Sequence, residues 1–173
     1  MRNSERRCAM TQFTVQGPFK VPFEKRRLAK MICPGCRPFW RLHEGLASQR
    51  GCYVFAIRAG KGYRPIYVGR TTKGTFAEEC FTNHKTGRHY NPALLNTRKG
   101  SPVMFFLTYP KPKGQKSISN LEKFLIQIAV ARNPDLSNVV GTAKHTWGIR
   151  GVIRGGKGKP SCAACEFTRL MGL

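Results

Sequence analysis

Two tyrosines stand in mirrored tripeptides in this 173-residue chain, Gly51-Cys52-Tyr53 and Tyr67-Val68-Gly69. Each tripeptide lies in a short run rich in β-branched and aromatic residues, which predicts a strand, and the stretch 59–62 between the runs predicts a turn. A hairpin of this kind sets two distant tyrosines side by side on one face of a sheet. Paired phenols on a basic chain indicate a candidate reactive site that faces a phosphate backbone.

Glu122 is the carboxylate best placed to join such a site. The chain has only eight acidic residues, and this one lies at the start of an apolar helical pattern over residues 121–129. One interpretation is structural, because Ser119 and Glu122 have the spacing of a capping box. The other is chemical, because Mg²⁺ is often held by one or two carboxylates together with phosphate oxygens and water.

The charge of the chain predicts a polyanionic partner. Thirty-one lysine and arginine residues stand against eight acidic ones, giving a formal net charge of +23 spread along the whole chain. Self-repulsion on this scale destabilises a fold unless a polyanion neutralises it, and nucleic acid is the commonest such polymer. The alternatives are an RNA binder of the ribosomal type or a protein attracted to anionic membranes.

No apolar run reaches the ~18 residues of a membrane-spanning helix, and no secretory signal pattern opens the chain. We therefore expect a cytoplasmic protein with no membrane partner and no small-molecule cofactor. Disulfides are not expected in that setting.

The order of elements predicts one patterned domain with an extension at each end. Residues 49–142 have the order strand, strand, helix, strand, helix, in which Thr75 caps a helix through about Asn83 and the last helix ends near Arg132. Residues 1–48 form a basic N-terminal extension, whose first 20 or so residues we expect to be a loosely held arm. Residues 143–173 are expected to form a strand, a turn and a helix that pack on the domain.

The two tripeptides, followed by a helix, a strand and a helix bearing Glu122 and then by Asn138, resemble the GIY-YIG nuclease superfamily. The resemblance covers residues 50–140, about half of the chain. It implies an α+β fold, an α/β sandwich with a small three-stranded antiparallel sheet flanked by helices. It also implies a metal-dependent endonuclease that hydrolyses phosphodiester bonds in DNA with one divalent cation, Mg²⁺ or Mn²⁺.

The resemblance gives each of these residues a role. Tyr53 corresponds to the tyrosine that orients or deprotonates the attacking water, and Tyr67 to the one that hydrogen-bonds the water or the phosphate. Glu122 takes the place of the metal-binding glutamate, and Asn138 that of an asparagine that steadies the site through hydrogen bonds. A free phenol has a pKa near 10, so we expect neighbouring Lys, Arg or metal to favour the phenolate.

One departure from the family concerns the helix that follows the second tripeptide. Glu78 and Glu79 stand about where the family has an arginine, while His84 remains as a general acid/base or phosphate contact. Arg70 is the closest guanidinium that could replace the missing one, since Arg binds phosphate through a bidentate fork. The chain is therefore either a nuclease with a relocated cation or a domain that binds without cutting.

Further nucleic-acid contacts are expected from basic residues and from a basic loop bearing one aromatic residue. In that loop Tyr90 either stacks on a base or packs under the helix. The predicted nucleic-acid contacts are Lys61, Arg64, Lys73, Lys85, Arg88, His89 and Tyr90. Outer candidates are Lys111, Lys113, Lys116, Arg154, Lys157 and Lys159.

Two Cys-x-x-Cys pairs, Cys33/Cys36 and Cys162/Cys165, indicate a structural zinc site. The first pair has the shape of a zinc knuckle, and the second lies in the first turn of a helix, where thiolate is favoured. The competing interpretation is that these cysteines are ordinary core residues.

Two functions from different classes therefore remain. One is the metal-dependent DNA endonuclease. The other is a non-catalytic basic nucleic-acid-binding module on a GIY-YIG-like scaffold, with or without zinc, in which the tyrosines only pack. The sequence does not separate DNA from RNA, and it leaves specificity to the two extensions or to a homodimer.

Overall fold

The computed structural model describes residues 11–26, 29–97, 100–110, 115–133, 135–138, 147–152 and 158–173. Within these ranges the protein has the expected α+β class, with one five-stranded sheet and a two-stranded ribbon. The strands are β1 Thr11–Lys20, β2 Glu24–Arg26, β3 Ala29–Met31, β4 Gly51–Ala59, β5 Gly62–Thr71, β6 Ser101–Thr108 and β7 Trp147–Ile149. The helices are α1 Arg37–Leu42, α2 Glu44–Ala47, α3 Phe76–Glu79, α4 Asn83–Lys85, α5 Asn91–Leu95, α6 Gln115–Arg132 and α7 Cys162–Met171, and a π-helical turn Thr86–Tyr90 joins α4 to α5.

The sheet is larger than the three strands expected from the resemblance. Its order is β5-β4-β6-β1-β7, with β4 antiparallel to both β5 and β6. These three strands are the expected ones, but β1 adds antiparallel to β6 and β7 adds parallel to β1. Both extensions of the chain therefore contribute strands to the sheet.

Strand β1 replaces half of the arm that we expected to be loosely held. Residues 11–20 alternate polar and apolar side chains, and Phe13 and Val15 are buried in the core. Alternation with a period of two is the pattern of a half-buried strand, but Gly17-Pro18 interrupts it after a few residues. Residues 1–10 lie outside the described ranges, as do Lys111, Lys113, Arg154 and Lys157.

The sheet separates two hydrophobic clusters. On one face α6 and α7 cover side chains such as Cys52 and Val54. On the other face Tyr53 and Phe55 pack with the short helices that follow β3 and β5. Because successive side chains of a strand point to opposite faces, β4 supplies both clusters in alternation.

The helix expected from Thr75 to Asn83 is divided. Thr75 caps α3 through a complete capping box with Glu78, but α3 ends at Glu79. Thr82 then adopts an extended backbone conformation and caps α4, accepting a hydrogen bond from the Lys85 amide. A second N-cap within the segment restarts the helix in a new direction.

The carbonyls released by this break are satisfied by tertiary partners. The Tyr90 hydroxyl donates to the Cys80 carbonyl oxygen at 2.8 Å, and the Gly35 amide donates to the Phe81 carbonyl oxygen at 2.7 Å. Buried carbonyls need such partners when a helix ends.

Helix α6 begins earlier in the chain than expected. The described helix already begins at Gln115, and its first turn contains Ile118, which is completely buried in the core. Ser119 and Glu122 therefore lie inside the helix, and the capping-box interpretation of Glu122 is wrong. The helix ends at Arg132, as expected, and α7 begins after Ser161, whose side chain caps it. No helix in the described ranges combines the length and apolarity that crossing a membrane requires.

Candidate active site

The β4–β5 hairpin brings the two tyrosines together. Tyr53 lies opposite Gly69 and Tyr67 lies opposite Phe55, so the two tyrosines are diagonal neighbours on one face of the sheet. Their ring centroids are 6.3 Å apart, and the ring planes are tilted by 38°.

The glycines of the two tripeptides are required by packing. Gly51 has φ +147°, and a Cβ there would overlap the Leu107 carbonyl oxygen on the neighbouring strand. A Cβ at Gly69 would overlap the ring of Tyr53, which lies directly against the Gly69 backbone. The second tripeptide therefore provides the surface on which the tyrosine of the first one rests.

The two phenols differ in their access to solvent. Tyr53 is completely buried, and its hydroxyl has no hydrogen-bond partner among the described residues. Burial raises the pKa of Tyr53 well above 10. Tyr67 is half-buried, and burial together with the Glu122 and Glu79 carboxylates raises its pKa to about 12. Both tyrosines are thus neutral phenols at neutral pH in this structure, and the neighbouring Lys and Arg side chains do not produce the expected shift toward phenolate.

Glu122 projects from α6 toward Arg70 on β5. The Arg70 Nη1 and the Glu122 Oε2 are 3.0 Å apart, with the Glu122 side chain 18% exposed. Burial raises the pKa of Glu122, while the positive charges of Arg70, Lys85 and Lys123 oppose that rise. Arg70, predicted as the replacement cation, therefore contacts the predicted metal-binding carboxylate directly.

Glu122 and Tyr53 do not share a face of the sheet. Helix α6 packs on the cluster that contains Cys52, and Arg70 lies opposite Cys52 in the strand pairing, whereas Tyr53 belongs to the other cluster. The Glu122–Arg70 pair and the tyrosines approach each other around β5, which is an edge strand of the sheet. Across that edge the Glu122 carboxylate raises the pKa of Tyr67.

The side of β5 that carries the tyrosines also carries Lys85, His84 and His89. The Lys85 Nζ lies 5.5 Å from the Tyr53 ring centroid and 2.7 Å from the Glu79 Oε2. His89 stacks on Tyr67 with centroids 4.3 Å apart, and the exposed His84 lies 5.5 Å from His89. Burial and the nearby His84, Arg88 and Lys85 lower the pKa of His89.

Glu79 is a member of this cluster that the sequence analysis missed. It pairs with Lys85 six residues later, which is not a helical spacing. The pair forms because the chain turns at Thr82 between α3 and α4. The only signal in the sequence was an acidic residue where the family has an arginine.

Asn138 holds the outer edge of β5. Its Nδ2 donates to the Val68 carbonyl oxygen at 2.7 Å, and its Oδ1 accepts from the Val68 amide at 2.9 Å. Asn133 donates similarly to the Pro65 carbonyl oxygen at 2.6 Å. Asn133 and Asn138 form hydrogen bonds with the edge of β5 as a neighbouring strand would. They hold the backbone at Pro65 and Val68, on either side of Tyr67.

The predicted nucleic-acid contacts are divided between surface and core. Tyr90 is completely buried and stacks on Phe55 at 4.1 Å, so it packs and cannot stack on a base. Lys85 is engaged with Glu79, and His89 with Tyr67. Of the predicted contacts that the structure describes, the exposed cations are Lys61, Arg64, Lys73 and Arg88, with Lys116 and Lys159 elsewhere on the surface.

The structure does not assemble the predicted four-cysteine zinc site. Within the described ranges, which include Cys33, Cys36, Cys162 and Cys165, no three His, Cys, Asp or Glu side chains form a metal-binding group. Cys36 is buried, which raises its pKa to about 11 and disfavours the thiolate that zinc requires. The Cys33 thiol instead donates to the Glu24 Oε1 at 3.2 Å.

Glu122 suits a divalent cation that is shared with a phosphate. It offers a single carboxylate, already in contact with Arg70. A single carboxylate can bind Mg²⁺ when phosphate oxygens and water complete the coordination of the ion.

No protein-family model, curated protein or solved structure matches this chain. The arrangement of its own residues is therefore the basis for assigning a function.

Proposed function

We propose that this protein is a metal-dependent endonuclease of the GIY-YIG type, which hydrolyses phosphodiester bonds in DNA at the outer edge of β5. The observation that carries the proposal is the position of Glu122. It does not cap its helix; it is held, partly buried, against Arg70 and close enough to Tyr67 to raise the pKa of that phenol. In this proposal β4, β5 and β6 are the GIY-YIG-like sheet.

The proposed role of each residue follows from its exposure. Glu122 would hold the divalent cation, which when bound would supply positive charge to the scissile phosphate and lower the pKa of a coordinated water. Tyr67, as a neutral phenol, donates a hydrogen bond to the phosphate or to the attacking water. Arg70 neutralises charge that develops on the phosphate. Tyr53 supports β5 from the core, because its buried ring lies against Gly69.

The histidines and the outer lysines and arginines serve the nucleic acid itself. His84 is exposed beside His89 and is the group available to give a proton to the leaving oxygen. Lys61, Arg64, Lys73 and Arg88 are exposed and contact backbone phosphates. Binding of this kind weakens steeply as salt rises.

A second candidate is a module that binds nucleic acid without cutting it. Two observations favour it: Arg70 already neutralises Glu122, and the Tyr53 hydroxyl is closed off from solvent. In that case Glu122 and Arg70 form a structural ion pair only.

A plasmid assay separates the two candidates. The purified protein is incubated with supercoiled plasmid in Mg²⁺ or Mn²⁺, beside an EDTA reaction and a gel-retardation series in increasing salt. Nicked or linear product that EDTA abolishes supports the nuclease. Intact plasmid with salt-sensitive retardation rejects it and supports the binding module.

A further inference from the structure

A cavity of about 330 Å³ opens beside the candidate active site at the outer edge of β5. It is lined by Arg64 on β5, by Arg88 and His89 of the π-helical turn, and by Asn133, Asp135 and Ser137. His89 joins the two sites, because the same ring that lines the cavity stacks on Tyr67. A cavity of this size is in the range that binds small organic groups.

The polar groups around the cavity are of two kinds. Arg64 and Arg88 supply cationic forks, and neither forms an ion pair with a described residue. Asp135 supplies one carboxylate, and Asn96 supplies an amide. Asn133 does not count among the binding groups, because it already holds the Pro65 carbonyl oxygen and the Asp135 amide.

A buried and unpartnered nitrogen also marks this place. The Nδ1 of His89 is closed off from solvent and has no hydrogen-bond partner among the described residues. Such atoms are uncommon in folded proteins and call for an explanation. Protein atoms shield this nitrogen, so the groups that can reach a bound molecule are the exposed Arg64, Arg88 and Asp135.

Two arginines alone would fit a phosphate, but the Asp135 carboxylate in the same cavity repels one. A nucleotide satisfies both kinds of group, because its phosphate pairs with the guanidinium forks and its base offers amino groups to a carboxylate. A base within a duplex cannot enter a cavity, so the nucleotide must be unpaired.

We propose that this cavity binds one unpaired nucleotide of the nucleic-acid strand next to the scissile phosphate, with Arg64 and Arg88 on its phosphate and Asp135 on its base. The inference rests on the proposed function for the position of the scissile phosphate, but its binding chemistry does not depend on cleavage. Asp135 accepts hydrogen bonds from the amino groups of cytosine, adenine or guanine. Thymine lacks an exocyclic amino group and binds most weakly.

The test is binding of the four deoxynucleoside 5′-monophosphates and inorganic phosphate to the full chain in EDTA, measured by titration calorimetry. The monophosphates are expected to bind at least about tenfold more tightly than inorganic phosphate, with thymidine monophosphate the weakest of the four. Arg64→Ala and Arg88→Ala each weaken binding by about tenfold, whereas Arg41→Ala, an exposed cation on α1, does not. Asp135→Asn reduces the discrimination against thymine and, because it removes a repelling charge, does not weaken the binding of inorganic phosphate.

Monophosphates that bind no better than inorganic phosphate would overturn the inference, as would equal losses in Arg88→Ala and Arg41→Ala. A Glu122→Gln protein separates this inference from the proposed function. If no plasmid is cleaved but the monophosphates bind wild type and Glu122→Gln alike, the nuclease proposal fails and the cavity assignment stands. If plasmid is cleaved and the monophosphates do not bind, only the cavity assignment fails.

Discussion

The Arg70 guanidinium and the Glu122 carboxylate lie 3.0 Å apart and tie the outermost strand of the sheet to helix α6. The pair does not fully compensate Glu122 for its burial, since the pKa of this carboxyl remains raised above its ordinary value. A charged group held in an unfavourable environment is typical of a functional site. Stability and catalysis should therefore respond in opposite ways to the loss of this charge.

The pH dependence of stability tests that expectation. Because the pKa of Glu122 is raised on folding, the folded protein binds more protons than the unfolded chain between the two pKa values. The free energy of unfolding therefore falls as pH rises through that interval. In Glu122→Gln this contribution is absent, so the stability of the variant relative to wild type increases as pH rises through that interval. Urea titrations at several pH values measure this increase, and exposed Glu44→Gln is the control; a relative decrease with rising pH would contradict the account.

The contact between Tyr53 and Gly69 predicts a steric penalty at the second tripeptide. Gly69→Ala places a methyl group in the Tyr53 ring and should lower the free energy of unfolding by about 1–3 kcal/mol. Gly62→Ala is the matched control on the same strand, because the nearest atom to its Cβ is 3.9 Å away. Chemical denaturation of both variants compares them. Equal stabilities would show that Tyr53 does not rest on Gly69.

Asn138 is expected to act on stability through the strand edge. Asn138→Ala leaves the amide and the carbonyl of Val68 without their present partners and should cost about 1–3 kcal/mol. Asn96→Ala, an exposed amide at the end of α5, should cost little. Hydrogen exchange at the Val68 amide gives a local measure, since it should accelerate in Asn138→Ala alone. Unchanged protection there would remove Asn138 from this role.

The hairpin was predictable because its signals are local. Glycines and aromatic residues within a 20-residue stretch place the strands and the turn. The register also depends on a β-bulge between Phe55 and Ala56, which sets Tyr67 opposite Phe55 and which the sequence did not indicate. The break between α3 and α4 was not predictable, because the groups that satisfy Cys80 and Phe81 come from Tyr90 and from Gly35, which lies far away in the chain. The extent of the sheet was missed for the same reason: β1 is stabilised by β6, about 90 residues later.

The proximity of several candidate residues was predictable, but their geometry was not. Residue types and spacing identified Tyr67, Arg70 and Glu122, which the fold brings to one edge. Exposure is a tertiary property, so the sequence could not distinguish the buried Tyr53 from the half-buried Tyr67. The same limit explains Tyr90, whose burial against Phe55 depends on the break in the helix.

The two tyrosines should therefore differ in their effects on cleavage. Tyr67→Phe removes a solvent-facing donor and should lower the single-turnover rate by about 100-fold. Tyr53→Phe removes a hydroxyl that has no partner among the described residues, so it should lower the rate much less and should not destabilise the fold. The wild-type rate should show no tyrosine ionisation below pH 10, because the pKa of Tyr67 is about 12. A larger loss in Tyr53→Phe would reverse these assignments.

The most direct test of the nuclease assignment compares Glu122→Gln with Glu44→Gln in Mg²⁺-dependent cleavage of a labelled DNA, with DNA affinity and unfolding free energy measured on the same preparations. The account predicts that Glu122→Gln loses cleavage by at least about 100-fold while its affinity for DNA is retained and its stability is not reduced, and that Glu44→Gln matches wild type. Cleavage by Glu122→Gln at the wild-type rate would contradict the account.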